Sequence, residues 1–464
     1  MATQTKARGT REGADSTFSG LGEFVRETMD RLHVPGVAVG VLHDDREAAA
    51  GFGVTSVDNP LPVTADTLFQ IGSITKTFTG TAAMRLVEQG KLDLDAPLRT
   101  YLPKLRLAGE GVAAGVTLRH LLTHTGGWVG DYFDDTGMGD DALRRIVTRM
   151  AKLPQLTPLG AVWSYNNAGF YLAGRALEAV AKRPYEEIIR ELVFDPLGME
   201  MSFFFPGDVM VHRFAVGHIV QDDKAAVAKP WPLARAAHPA GGIASTVDDL
   251  FRYARYQFTD GVAPDGARLL SPESTALMRA PQVAIDRQGS FVGLTWMLRK
   301  IGDVRFITHS GGTNGQITLF LVVPERRFAL IVLTNANRGG EVTEAVTKWA
   351  VREYLGAEEP EPAPLAATAA QLSAYTGRYR AAMSELELTL RDGELIVQMT
   401  PLGGFPKKDS PPGPTPPPTR AALYAEDAII ALDPPLKGAR GEFLRDDAGN
   451  IAWLRLGGRI ARRQ

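Results

Sequence analysis

The chain has 464 residues, 44% hydrophobic and 22% charged, the composition of a globular protein too long for one compact core. A formal net charge of −2 gives no electrostatic reason to expect nucleic acid or an anionic membrane as partner, and neither is expected. The absence of cysteine excludes disulfides, thiolate nucleophiles and cysteine metal sites together.

Residues 1–20 are polar and glycine-rich and read as a disordered leader. They lack the apolar stretch of a secretory signal, so a cytoplasmic location is the expectation. No apolar run approaches the roughly 18 residues that a membrane span needs. Residues 21–32 predict an amphipathic helix, stopped by His33-Val34-Pro35-Gly36. Residues 37–43 and 47–54 predict a β-hairpin turning at Asp44-Asp45-Arg46. Helical patterns dominate from residue 73 to about 256. The first covers 73–89, with Ile74, Phe78, Ala82 and Leu86 on one face and Gly90 placed to end it in a left-handed cap. Strands return at 292–300, 304–309, 316–323 and 328–335, before a helix over 341–355. Strands at both ends with helices between predict an α+β domain over 21–356, its antiparallel sheet closed by the two ends.

Proline and glutamate make 357–370 a linker. Residues 371–464 then alternate in short runs (385–390, 395–399, 428–432, 451–456) between Asp-Gly and Gly-Asn turns, the pattern of a small antiparallel barrel or sandwich. Within it, 406–419 is a proline tract read as a polyproline II or disordered loop. The division at the linker predicts that 1–356 folds by itself.

The stretch Gln70-Ile71-Gly72-Ser73-Ile74-Thr75-Lys76 sets a hydroxyl and an amine one helical turn apart, so Lys76 can touch Ser73. A neutral lysine is a competent base for a serine hydroxyl, and burial near a helix N-terminus disfavours the ammonium. Ser-x-x-Lys alone arises by chance, so its weight depends on two later segments. In Trp163-Ser164-Tyr165-Asn166-Asn167, Tyr165 and an amide either face a cleft or form a helix cap under a packed tyrosine. In His309-Ser310-Gly311-Gly312, glycines at a strand end let another backbone or a substrate approach closely. His120 and His124 lack the Glu and third ligand of a metal site, and no metal or cofactor is expected. Gly-x-Ser-x-Gly is absent, against an α/β-hydrolase. Trp128, Tyr132, Phe133 and Trp231 either line an apolar pocket or simply pack.

Taken in this order, with Leu118-Arg119-His120-Leu121-Leu122-Thr123-His124-Thr125-Gly126-Gly127, Asp195-Pro196-Leu197-Gly198-Met199 and Pro239-Ala240-Gly241-Gly242-Ile243-Ala244-Ser245-Thr246, the segments resemble the superfamily of penicillin-binding proteins, class C β-lactamases, family VIII esterases, alkaline D-peptidases and D-aminopeptidases. The resemblance covers about residues 20–355 and implies a β-lactamase-like catalytic domain. It implies Ser73 as nucleophile, Lys76 as base and Tyr165 as proton shuttle. Asn167 and His309 become substrate-binding groups, and Gly312 with Ser73 supplies the oxyanion hole. Some D-amino-acid peptidases of this superfamily append small β-barrels to the catalytic unit, so the C-terminal domain favours the peptidase reading over a β-lactamase. Many relatives carry lysine where His309 stands, and a mostly neutral histidine is a hydrogen-bond partner, not a carboxylate anchor. The expectation is a serine hydrolase of amide or ester bonds in small or peptidic substrates, with a β-lactamase or D,D-carboxypeptidase as the second reading. A non-catalytic binding or sensor protein is the third. Oligomeric state stays open.

Overall fold

The computed structural model describes residues 16–464. Most of the expected leader lies outside these, but 16–20 are helical: α1 runs Ser16–Arg31. Phe18 explains the longer helix, because it extends the buried stripe of Leu21, Val25 and Met29 by one turn. The predicted hairpin follows as β1 (Gly36–His43) and β2 (Arg46–Gly53).

Six further strands complete the sheet: β3 (Val283–Ala284), β4 (Phe291–Val292), β5 (Met297–Ile301), β6 (Val304–Thr313), β7 (Gln316–Val323) and β8 (Phe328–Thr334). Their spatial order is β2-β1-β8-β7-β6-β5-β4-β3, antiparallel throughout, with Val39 opposite Val332 where the two ends meet. The expected strand over 292–300 is two strands, because Thr295 takes a positive φ of 76° and turns the chain between them. Strand β6 runs past His309 to Thr313, and glycine is required within it: a Cβ on Gly311 would sit 1.9 Å from the Ile71 carbonyl oxygen. This close approach brings the Ser73 turn against the strand.

Two cores flank the sheet. On one face α1 and the helix Gly339–Leu355 bury Val25, Val39, Val332 and Val346; on the other lies the helical layer around Phe78, Phe194 and Tyr253. Ser73 lies in a tight 3₁₀ turn, Gly72–Ile74, from which α2 (Thr75–Glu88) continues. Instead of exposing a polar face, α2 is buried almost all round. Its threonines go inside because Thr77 and Thr81 donate to carbonyls of their own helix and Thr79 to Pro239 O. Gly90 ends the segment at φ 68°, as its position predicts.

The C-terminal unit is a closed antiparallel barrel, not a sandwich: β9 (Gly377–Arg380), β10 (Ser384–Arg391), β11 (Glu394–Pro401), β12 (Thr419–Ala425), β13 (Ala428–Ala431), β14 (Arg440–Arg445), β15 (Ile451–Leu456) and β16 (Arg459–Arg463). Tyr379, Leu388, Leu395, Phe443 and Leu454 fill it. The proline tract is an irregular loop docked on the first domain, where Phe405 meets Phe133 edge-on and Lys408 N–H donates to Phe133 O at 2.9 Å. The expected linker ends inside a short helix, Ala369–Ser373, because Thr368 and Gln371 form a capping box that overrides the nearby prolines. Among the described residues, no helix is long and apolar enough to cross a membrane.

The turn His238–Gly241 is held from behind. Glu186 accepts from His238 Nδ1 at 2.6 Å and from two nitrogens of Arg235 at 3.1 Å. Burial raises the carboxyl's proton affinity, but His238 and Arg235 outweigh it and hold the pKa at about 2, against an ordinary 4.5. A depressed carboxyl pKa contributes stability above the unfolded value that disappears as pH falls through the folded one. Glu186→Gln is therefore expected to lower the melting temperature most at pH 6–7, equivalent to about 3 kcal/mol for a broken buried pair, with the gap from wild type closing between pH 4.5 and 2. Melting curves from pH 2 to 7 check this, and a gap independent of pH removes the electrostatic role.

Candidate active site

The amine of Lys76 is the meeting point of three elements and has no solvent exposure. It donates to Ser73 Oγ at 3.0 Å, to Asn167 Oδ1 at 2.8 Å and to Ala240 O at 2.7 Å. Burial pushes its pKa well below the ordinary lysine value; Arg459 adds to the effect and Asp131 opposes it. A neutral amine at this distance can take the proton of the Ser73 hydroxyl.

The Tyr165 segment satisfies both readings of its sequence. Asn166 is the cap of α3 (Asn167–Ala181), accepting from Gly169 N–H at 2.8 Å. Asn167, relieved of capping, reaches Lys76. Tyr165 lies two residues before the helix, its hydroxyl near enough to Ser73 to feel it electrostatically. Burial raises its pKa, so the ring is a phenol and not a phenolate. The Lys76 amine stands 4.9 Å from the ring centroid and the Arg459 guanidinium 4.6 Å from it, while the His124 ring stacks on it at 4.4 Å.

His309 and His124 are both neutral, with tautomers set by their partners. His309 donates from Nδ1 to Ser310 O at 2.6 Å, which leaves Nε2 a bare, buried acceptor without a partner. Burial, reinforced by Lys76, brings its pKa down to about 3. His124 accepts on Nδ1 from Asn166 N–H at 3.0 Å, and burial with Lys76 nearby lowers its pKa too. His120 turns instead to Thr117, so the two histidines of that segment do not converge as ligands. Gly312 lies on β6 beside the serine turn, where a Cβ on Gly72 would come within 2.6 Å of the Gly312 nitrogen. The Gly312 backbone nitrogen thus lies against the turn that carries Ser73.

Two residues of this cluster were not legible. Asp131 accepts from Asn167 Nδ2–H at 2.8 Å and from Arg459 Nε–H at 3.1 Å. Arg459 comes from the barrel, just after the Gly457-Gly458 turn between β15 and β16. The same turn clamps the tyrosine segment: Tyr165 N–H donates to Gly458 O at 2.8 Å, Ile460 N–H to Ser164 Oγ at 3.3 Å, and Arg455 to Trp163 O at 3.1 Å. The glycine pair signals a hairpin, but nothing in its sequence shows what it faces. A cleft of about 990 Å³ opens between the domains, with Ser73, Asn167 and His309 on one wall and Tyr424, Arg440 and Arg459 on the other. Of the four aromatics considered, Phe133 lines it.

Residues 21–355 match the Beta-lactamase family. Penicillin-binding protein 4 of Amycolatopsis lactamdurans is 36% identical over 341 residues, 71% of this chain and 88% of that protein. Among solved structures, SurE with D-Leu superposes at a TM-score of 0.74 and 26% identity, covering 97% of this chain and 100% of that one. The octameric penicillin-binding protein homologue from Pyrococcus abyssi shares the fold at a TM-score of 0.66 and 23% identity, over 95% and 98% of the two chains. The chain belongs to the β-lactamase family and is a serine hydrolase of the β-lactamase and penicillin-binding-protein kind.

Proposed function

We propose that the protein cleaves amide or ester bonds of small or peptidic substrates through an acyl-enzyme on Ser73. The observation that carries this reading is the desolvated amine of Lys76, 3.0 Å from Ser73 Oγ. Ser73 Oγ attacks the substrate carbonyl as its proton passes to Lys76 Nζ, and the oxyanion rests on the backbone N–H groups of Ser73 and Gly312. Tyr165, as a phenol, hands a proton to the departing nitrogen or oxygen and is reprotonated from Lys76. Water then attacks the ester, the acid leaves, and Ser73 regains its proton.

The cleft and His309 bear on the substrate. A space of about 990 Å³ with a polar far wall suits a peptide better than a single small ester. His309, neutral and with a free acceptor nitrogen, suits a substrate N–H or O–H and does not require a carboxylate. D-Leu bound to SurE supports including D-aminoacyl substrates. The name of the Amycolatopsis relative favours a second reading, a β-lactam-recognising carboxypeptidase or β-lactamase. Comparing D- and L-aminoacyl p-nitroanilides, p-nitrophenyl esters and nitrocefin separates the two. A strong preference for nitrocefin would put the second reading first.

A fluorophosphonate is expected to add one adduct, mapped to Ser73 by peptide mass. Ser73→Ala and Lys76→Ala are each expected to lower kcat by 10³-fold or more, with the double variant hardly worse, since residues acting as one unit are non-additive. Losses that multiply in the double variant refute the shared proton transfer.

Tyr165→Phe removes only a hydroxyl, so roughly 10²-fold loss of kcat at an unchanged melting temperature is expected. A variant that melts earlier but turns over normally returns Tyr165 to a packing role.

A further inference from the structure

We propose that Asp131 and Arg459 are positioning residues for proton transfer at Ser73, so that the barrel completes the active site instead of only covering it. The inference rests on the roles proposed above for Ser73 and Lys76. Asp131 is 5% exposed in its side chain and bridges Asn167 and Arg459, whose Nη2–H also reaches Oδ1 at 3.5 Å. Oδ1 accepts from the Asn167 amide at 2.8 Å, which fixes that amide with its own oxygen toward Lys76. Oδ2 accepts from Arg459 Nε–H at 3.1 Å. Without the arginine, a carboxylate this buried lacks its only ionic partner among the described residues, and movement of Asp131 toward water releases Asn167. Arg459 also sits 4.6 Å from the Tyr165 ring centroid, and the residue before it accepts the Tyr165 backbone N–H. One barrel turn therefore holds the tyrosine directly and the lysine through Asp131 and Asn167.

The two charges also pull the proton affinity of Lys76 in opposite directions, Arg459 lowering it and Asp131 raising it. The other titratable groups around the amine are Tyr165, His124 and His309. The phenol's pKa is raised and the imidazoles' are lowered, so none of them changes charge near neutral pH. The acid limb of Ser73 reactivity thus reports on Lys76.

The test is the second-order rate of Ser73 modification by a fluorophosphonate from pH 5 to 10, on the full chain, with melting temperatures recorded. Arg459→Gln is expected to slow modification roughly 10- to 100-fold at pH 7 through lost alignment, and to move the acid limb up by roughly half to one pH unit. Asp131→Asn is expected to move the limb down. Arg459→Lys keeps a cation on the barrel turn, and its limb is expected to stay near the wild-type position even if the rate falls; it also serves where the glutamine variant does not fold. Unchanged limbs in the glutamine and asparagine variants, or limbs that move in the same direction, overturn the proposal. A wild type that is not modified, or a Ser73→Ala variant modified equally well, instead overturns the assignment of Ser73 and Lys76.

Discussion

The desolvation of a single amine governs the arrangement around it. A lysine amine removed from water costs several kcal/mol unless polar partners replace the water, and Lys76 meets this with oxygens from three separate elements. Each acceptor has its own support. Ser73 is brought to β6 by glycines at 72 and 311, Asn167 is released from capping duty by Asn166, and the carbonyl of Ala240 belongs to a turn fixed by Glu186. Burial lowers the proton affinity of the amine and so keeps it unprotonated and available to take the proton of the hydroxyl beside it, so packing and reactivity here are one property.

Around the amine, the polar groups are arranged by hydrogen bonds that leave little choice of proton position. Asp131 sets the Asn167 amide, the Ser310 carbonyl sets His309, and the Asn166 backbone sets His124. Two neutral imidazoles and a neutral phenol surround the lysine. None competes with it for a proton near neutrality, which leaves a single titrating base beside the serine.

Local chemistry was readable in the sequence where neighbours along the chain create it. The spacing of Ser73 and Lys76, the glycines of β6 and the Asn166 cap each act within a few residues. Most of the sheet was readable as well, because its central strands β1, β7 and β8 are apolar runs, whereas the two-residue edge strand β3 is too short to leave a pattern. Four barrel strands were not, among them β16 with Arg459-Ile460-Ala461-Arg462-Arg463, since charged residues on the outer wall break the alternation. Likewise α2 looked one-sided because its threonines read as polar surface, whereas their hydroxyls are satisfied inside the core. Asp131 and Arg459 escaped because their partnership spans 328 positions and depends on how two domains meet.

The meeting of Val39 with Val332 has a consequence for how the molecule comes into being. Strand β1 is flanked by β2, made at once, and by β8, which is translated almost 300 residues later. An early hairpin with an apolar face must therefore wait beside growing helices for its other neighbour, a topology of high contact order that folds slowly and keeps a strand edge open. The barrel is finished later still, and its last hairpin carries the arginine that meets Asp131. Biosynthesis thus delivers the hydroxyl and the amine long before the barrel hairpin that meets Asp131, so a nascent chain holds Ser73 and Lys76 before that contact can form.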